Sequence, residues 1–179
     1  IAEAAWQEFS LRKVLFIPSG DTPNKDMHHI DKNIRYAMVE KAIEGNGHFM
    51  ISPIERDRQG PSYTVDTIRI LQREFGDEYE FYFICGTDAV ADLPTWKYNR
   101  ELLSACHFIC ASRPGNENEI QKSIDYFGEL GREKIHFLKT PELAISSTIL
   151  RDWIAEKRSV RYLIPDAVID MIRSNKLYE

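Results

Sequence analysis

Three hydroxyl residues in a row, Ser146-Ser147-Thr148, run directly into Ile149, Leu150, Trp153 and Ile154, an apolar set at helical spacing. Serine and threonine are strong N-cap residues because their side-chain oxygens accept from the first free N–H groups of a helix. A helix that starts here exposes donors at its positive end, which suits an anion. Arg151 follows one turn on, and its guanidinium fits a phosphate or a carboxylate bidentately. Taken alone, the stretch reads first as an ordinary cap with a solvated arginine, ahead of an anion site.

The elements around it decide what it serves. Short apolar runs rich in β-branched and aromatic residues alternate with helical patterns along the chain. Strands are expected at Lys13–Pro18, His48–Ile54, Tyr79–Cys85, His107–Ser112 and Lys134–Leu138. Helices are expected over residues 1–10, from Asp31 to about Glu44 with Ile34, Met38, Val39 and Ala42 inward, and from Ser62 on Val65, Ile68, Leu71 and Phe75. Further helices cover Arg100–Ala105, Ile120–Leu130, the hydroxyl segment and Asp166–Ser174. This alternation describes an α/β fold, a Rossmann-like, doubly wound, mostly parallel open sheet with helices on both faces. No repeat, low-complexity tract or linker divides residues 1–179, so one domain is expected.

Ligands in such sheets bind beyond the carboxyl ends of the strands. Those ends here are Pro18-Ser19-Gly20 with Lys25 close by, Gly86-Thr87-Asp88, Arg113-Pro114, and Thr140 leading to the hydroxyl helix. Each carries a small, hydroxyl or charged residue, and parallel strands gather them on one edge. Gly86 lets backbone approach a ligand, and Asp88 suits a ribose diol or a helix cap. Trp96, in a loop after Pro94, either packs beneath the loop or offers its face to a ring. Lys25 is a loop cation suited to phosphate. His28-His29-Asp31 lacks a further metal ligand, and Glu55–Arg58 reads as a solvated charged loop.

Composition excludes several classes. The chain has 179 residues, 43% hydrophobic and 28% charged, with a net charge of −5, which fits a folded globular protein and gives no basic footprint for nucleic acid. No apolar run reaches membrane length. The three cysteines, Cys85, Cys106 and Cys110, lie in strand-like apolar runs and suit buried reduced thiols in the cytoplasm. Neither a metal site nor a nucleophile elbow is visible.

At these residues the chain resembles a known family. Ile145-Ser146-Ser147-Thr148-Ile149-Leu150-Arg151 is similar to the Ile-Ser-Ser-Thr-x-x-Arg signature of nucleotidyltransferases. Gly60–Thr67 (GPSYTVDT), Gly86-Thr87-Asp88, Leu93-Pro94-Thr95-Trp96, Arg113-Pro114-Gly115 and the ending Tyr162–Asp166 with Leu177-Tyr178-Glu179 narrow it to the bacterial nicotinate-nucleotide adenylyltransferases. The resemblance implies the reaction ATP + nicotinate mononucleotide → deamido-NAD + pyrophosphate, with Mg²⁺, in pyridine nucleotide biosynthesis. It implies in-line attack without a covalent intermediate, so that catalysis is positioning and charge stabilisation.

By position, Ser146, Ser147, Thr148 and Arg151 would hold the ATP phosphates, Arg151 and Ser147 being the catalytic pair. Gly86 and Asp88 would sit by the adenosine ribose and Arg113 would border the adenine. Thr64, Trp96 and Lys97 would form the nicotinate pocket, and Lys25 would reach the mononucleotide phosphate. Two departures stand out: the loop reads Thr22-Pro23-Asn24-Lys25 where the family has Pro-Pro-His-Lys, and the family's first signature, Gly-Gly-x-Phe-Asp-Pro-x-His-x-Gly-His, is absent. The chain opens in mid-helix without Met, so the expectation is a longer natural protein and, for these residues alone, low stability and no turnover. Adenylyl transfer to the amide nucleotide, a non-catalytic nucleotide-binding module and a homo-oligomer stay open as alternatives.

Overall fold

The computed structural model describes residues 1–20, 30–112, 117–140 and 145–178. The chain divides into two compact units, one of Ile1–Arg12 with Ser62–Glu142, the other of Lys13–Pro61 with Leu143–Glu179.

The larger unit is built on β3 (Tyr82–Gly86), β4 (His107–Ser112) and β5 (Ile135–Lys139), all parallel in the order β3-β4-β5. Register is set by Ile84↔Ile109 and Gly86↔Ala111 on one side and by Ile109↔His136 and Ala111↔Leu138 on the other. Side chains alternate across a strand, so Ile84, Ile109 and Leu138 share a face with Tyr82, His107 and His136. The helix α1 (Ala2–Glu8) covers that face: Ala5, Ile109 and Leu138 are wholly buried, with Ala4, Phe9 and Leu11 against them. On the opposite face Phe83, Phe108 and Trp96 meet in tilted and edge-on pairs.

Helix α3 (Thr64–Phe75) buries Val65, Ile68 and Leu71, the stripe its period predicts, and ends at Gly76, whose φ of +80° suits a residue without Cβ. It starts two residues later than Ser62, and Phe75 lies outward, edge-on to Tyr79 and Phe81. Beyond it come α4 (Thr87–Asp92), a 3-10 turn (Leu93–Thr95), α5 (Asn99–Ala105), α6 (Glu117–Phe127) and α7 (Glu129–Lys134). Phe108, Leu93, Leu102, Leu103 and Ile120 are fully buried, each contributing about 1.5–3 kcal/mol of apolar burial. Strand β3 begins at Tyr82 rather than Tyr79, where β4 first comes alongside.

The smaller unit holds β1 (Val14–Phe16) and β2 (Phe49–Ile51), also parallel, with Phe16↔Ile51 in register. Strand β2 is shorter than His48–Ile54 because Pro53 has no N–H to give a ladder and its carbonyl instead accepts from Asp57 in a turn. Between the strands lies α2 (Lys32–Ile43), capped by Asp31, whose carboxylate accepts from Asn33 N–H at 2.8 Å. That bond holds the Asp31 carboxyl below its usual range. The inward set expected of α2 is only half-buried at Ile34, Met38 and Val39, and Ala42 is exposed. Among the described residues, α2 packs on β2 and α9 (Asp166–Ser174), and a two-stranded ladder is too narrow to cover its stripe. Helix α8 (Ser147–Ala155) completes this unit.

Every ladder is parallel and connected through helices, as a Rossmann-like α/β fold requires. No described helix is long and apolar enough to cross a membrane.

Candidate active site

In the larger unit the carboxyl ends of β3, β4 and β5 lie side by side, and Gly86 forms one of them. Among the described residues, and its own chain neighbours aside, no atom lies within 4 Å of where a Cβ on Gly86 would stand. The open space admits a ligand rather than a neighbouring side chain. Gly86 is also the residue that starts α4, so Asp88 is not the cap; its carboxylate is exposed in the helix's first turn. The ribose reading of Asp88 therefore keeps a free acceptor. Thr87, between them, is buried, and its hydroxyl lowers the Cys110 thiol against the burial that raises it.

Trp96 follows the 3-10 turn. It is half-buried, with ring centroids 6.0 Å from Phe83 and 6.5 Å from Phe108, both edge-on. The packing reading is thus realised in part, and part of the indole stays open. Lys97 Nζ stands 4.7 Å from the centroid of Tyr63, the residue that precedes Thr64 and starts α3. A second ring, Tyr98, lies 5.1 Å from the same ammonium. Cation–π contacts hold the lysine over α3's first turn.

In the smaller unit the hydroxyl segment folds as read. Ser146 caps α8, its Oγ accepting from Ile149 N–H at 3.2 Å. Ser147 and Thr148 are exposed, and the first N–H groups of a helix lie ahead of any intrahelical acceptor. Arg151 Nη2 donates to Thr148 Oγ1 at 3.3 Å, so the guanidinium is drawn back toward the helix start. Tyr178 lies near it: burial raises the phenol above its usual range, while Arg151 and Arg35 pull it down.

Arg35 is the residue sequence reasoning missed. Its Nη1 and Nη2 donate to Ser19 Oγ and Gly20 O, both at 3.1 Å, and Nε donates to Ile30 O at 3.3 Å. Three bonds from one guanidinium pin the turn that leaves β1. The only signal was a cation one turn into a capped helix, and helix cations are mostly solvated.

Lys25 and Arg113 lie outside the described residues, as do His28 and His29. Each unit thus assembles its own share of the expected set: Gly86, Asp88, Thr64, Trp96 and Lys97 in the larger, Ser146, Ser147, Thr148 and Arg151 in the smaller. Glu55–Arg58 departs from expectation. Arg56 binds Asp57 at 2.7 and 3.2 Å and lies over the Tyr36 ring at 4.3 Å, and Arg58 is half-buried. The Pro53 carbonyl accepts from Asp57 N–H and turns the loop back on itself, with Arg56 and Arg58 half-buried and Asp57 exposed.

The cysteines are free thiols, Cys106 and Cys110 buried and Cys85 half-buried. Burial pushes Cys85 and Cys106 up to about 12 and Cys110 to about 11, so none is a thiolate nucleophile at neutral pH.

Known proteins place this arrangement. The Cytidylyltransferase-like family matches residues 1–152. A probable nicotinate-nucleotide adenylyltransferase of Moorella thermoacetica is 45% identical over 179 residues, covering 99% of this chain and 82% of that one. One from Thermoanaerobacter sp. is 41% identical over 180 residues, covering 99% and 85%. Among solved structures, a Plasmodium falciparum nicotinic acid mononucleotide adenylyltransferase complexed with NaAD superposes with a TM-score of 0.74 at 20% identity, covering 98% of this chain and 89% of that one; at that identity the likeness speaks for the fold. With the family matched over residues 1–152 and relatives matched over 99% of this chain, the chain belongs to the nicotinate-nucleotide adenylyltransferases of the cytidylyltransferase-like group.

Proposed function

We propose that this chain transfers the adenylyl group of ATP to nicotinate mononucleotide, giving deamido-NAD and pyrophosphate in pyridine nucleotide biosynthesis. The carrying observation is 45% identity to a probable nicotinate-nucleotide adenylyltransferase across 82% of its length. A phosphate oxygen of the mononucleotide attacks the α-phosphorus of ATP; the bond from that phosphorus to the bridging oxygen breaks, and pyrophosphate leaves. No protein nucleophile is needed, and the high thiol pKa values accord with that.

In this reading the α8 start and Arg151 bind ATP phosphates, because charge that builds on the leaving group is best met by fixed donors. Gly86 admits the adenosine backbone-close and Asp88 accepts from its ribose, with Arg113 bordering the base. Trp96 offers its open indole to the nicotinate ring, Thr64 and Lys97 sit at its carboxylate end, and Lys25 reaches the mononucleotide phosphate. Among the described residues no three acidic, histidine or cysteine side chains form a metal cage. Mg²⁺, bound together with ATP, would supply charge neutralisation.

Pyrophosphate release with ATP and either nicotinate or nicotinamide mononucleotide, measured with the family's first histidine signature joined ahead of these residues, tests the reading. The acid nucleotide is expected to win in kcat/KM by roughly tenfold or more, about 1.4 kcal/mol. A better rate with the amide overturns the substrate assignment, and no pyrophosphate with either overturns the reaction.

A further inference from the structure

The loop that leaves the carboxyl end of β2 carries two arginines with different fates. Arg56 donates through Nε and Nη2 to both oxygens of Asp57 and lies over the face of Tyr36 on α2. Arg58, two residues on, differs. Its Nη1 and Nη2 are closed off from water and have no hydrogen-bond partner. A guanidinium keeps its charge in any protein environment, and its buried N–H groups are costly to leave unpaired. Histidine or lysine in such a place would shed the proton; arginine does not.

The position adds direction. The paired strands β1 and β2 end together, Phe16 beside Ile51, and Ser52 N–H donates to Phe16 O at 2.9 Å. The segment that follows therefore begins at the carboxyl edge of this ladder, where parallel α/β sheets bind ligands. It runs on in sequence, six residues after Arg58, to Thr64. Neither carboxylate of the loop meets the need, since Asp57 is held by Arg56 and Glu55 makes no hydrogen bond to the Arg58 terminal nitrogens. A planar pair of N–H groups without a partner matches one thing best, an oxyanion with two acceptor oxygens.

We infer that Arg58 is a substrate-anion residue: its guanidinium takes up an oxyanion of the mononucleotide, the phosphate or the ring carboxylate, and the side chain shifts to open its terminal nitrogens as that anion enters. The inference rests on the proposed reaction for the identity of the ligand, while the anion chemistry stands on the orphaned guanidinium itself. Arg58 binds and orients in this scheme and exchanges no proton.

The test compares wild type, R58Q and R58K. In the kinetic arm, each substrate is varied in turn. The expected result is a KM for nicotinate mononucleotide raised roughly tenfold or more in R58Q, with kcat and the KM for ATP within about twofold of wild type. R58K, which keeps the charge but not the fork, recovers part of the loss. If nicotinamide mononucleotide suffers equally, the phosphate is the ligand; if it is spared, the carboxylate is. In the binding arm, inorganic phosphate and nicotinate are added separately to each protein, and the melting temperature is followed. Protection by one of them that R58Q lacks identifies the anion without turnover, and so distinguishes failure of this inference from failure of the reaction assigned above. Unchanged KM values together with equal protection of wild type and R58Q overturn it. So does an R58Q melting temperature lowered without ligand and restored in R58K while all KM values stay put, which marks a structural arginine.

Discussion

Arg151 Nη2 donates to Thr148 Oγ1 across one turn of α8, at 3.3 Å. The bond joins the cation to the hydroxyl segment that starts the helix, so the guanidinium and the helix start lie at one end. A lone neutral acceptor is a modest restraint on a guanidinium, and the bond leaves most of its five N–H groups available. Arg151→Ala is expected to lower kcat/KM by about 10²–10³-fold, the range for losing a donor aimed at developing charge. Arg151→Lys, a point charge without the fork, should recover only part of that. The melting temperature should move little in either variant, because the residue lies at a half-exposed surface. A rate within threefold of wild type for the alanine variant would remove Arg151 from the ATP site.

Ser146 and Ser147 allow cap and ligand roles to be separated. Ser146 Oγ is the acceptor for Ile149 N–H, whereas Ser147 is already inside α8 and exposed. Ser146→Ala should cost about 1 kcal/mol of stability, as loss of an N-cap does. Ser147→Ala should leave the thermal transition in place and raise the KM for ATP. Equal melting losses in the two variants would show that the cap is not where the geometry puts it.

Much of this was legible beforehand, and the exceptions have physical causes. The period of α3, the five parallel strands and the Ser146 cap follow from local patterns that tertiary context reinforced. Strand ends failed where pairing decides them: Tyr79 and Phe81 look like strand but stack on Phe75, and β2 stops short of Pro53. Arg35 and Arg58 were invisible because an arginine's partner is chosen in three dimensions. The same residue type gives a solvated charge, a clamp on Ser19 and Gly20, or an orphan, with nothing in its neighbours to say which. Trp96 lay between two readings; the structure packs it edge-on against Phe83 and leaves the residue half-buried.

His107 and His136 make stability pH-dependent. Tyr82, His107 and His136 stack across β3, β4 and β5, with centroids 4.8 and 5.1 Å apart. Lys134 Nζ lies 3.1 Å from His107 Nε2 and His107 Nδ1 lies 2.8 Å from His136 Nε2. An ammonium can only donate, so His107 Nε2 is the bare nitrogen and its Nδ1–H donates onward. Burial first, then Lys134, lowers both imidazoles below the usual histidine range, with Glu80 and Glu133 pulling His107 weakly back. A base whose folded pKa is depressed binds fewer protons folded than unfolded, so stability is complete above the unfolded value near 6.5 and falls as pH drops below it. The melting temperature should decline from pH 7.5 to 5, and His107→Asn should flatten that decline. An equal slope in the variant would place the acid sensitivity elsewhere.

Gly131 is needed for contact. It is buried in α7, and a Cβ there would stand 2.5 Å from Ile124 O and 3.0 Å from Ile124 Cα, both backbone atoms of α6. Backbone cannot swing aside as a side-chain tip can, so α6 and α7 must separate. Gly131→Ala is expected to destabilise by about 1–3 kcal/mol through overpacking, despite alanine's better helix propensity. An unchanged or raised melting temperature would show that the two helices have slack.

Trp96 is the residue where packing and binding must be told apart. Its edge-on contacts with Phe83 and Phe108 make it part of the sheet's cover, so Trp96→Ala should lose stability as well as affinity. Trp96→Phe keeps an aromatic against Phe83 and Phe108 but offers a smaller stacking face. If the open part of the indole carries the nicotinate ring, the phenylalanine variant should fold nearly as well as wild type while its KM for the mononucleotide rises. The alanine variant should lose about 1–3 kcal/mol of binding, the worth of one base-sized stack. The KM for ATP is the control, because an indole that only braces the loop would disturb both substrates together. Parallel increases in both KM values, scaling with the loss of melting temperature across the two variants, would return Trp96 to the core alone.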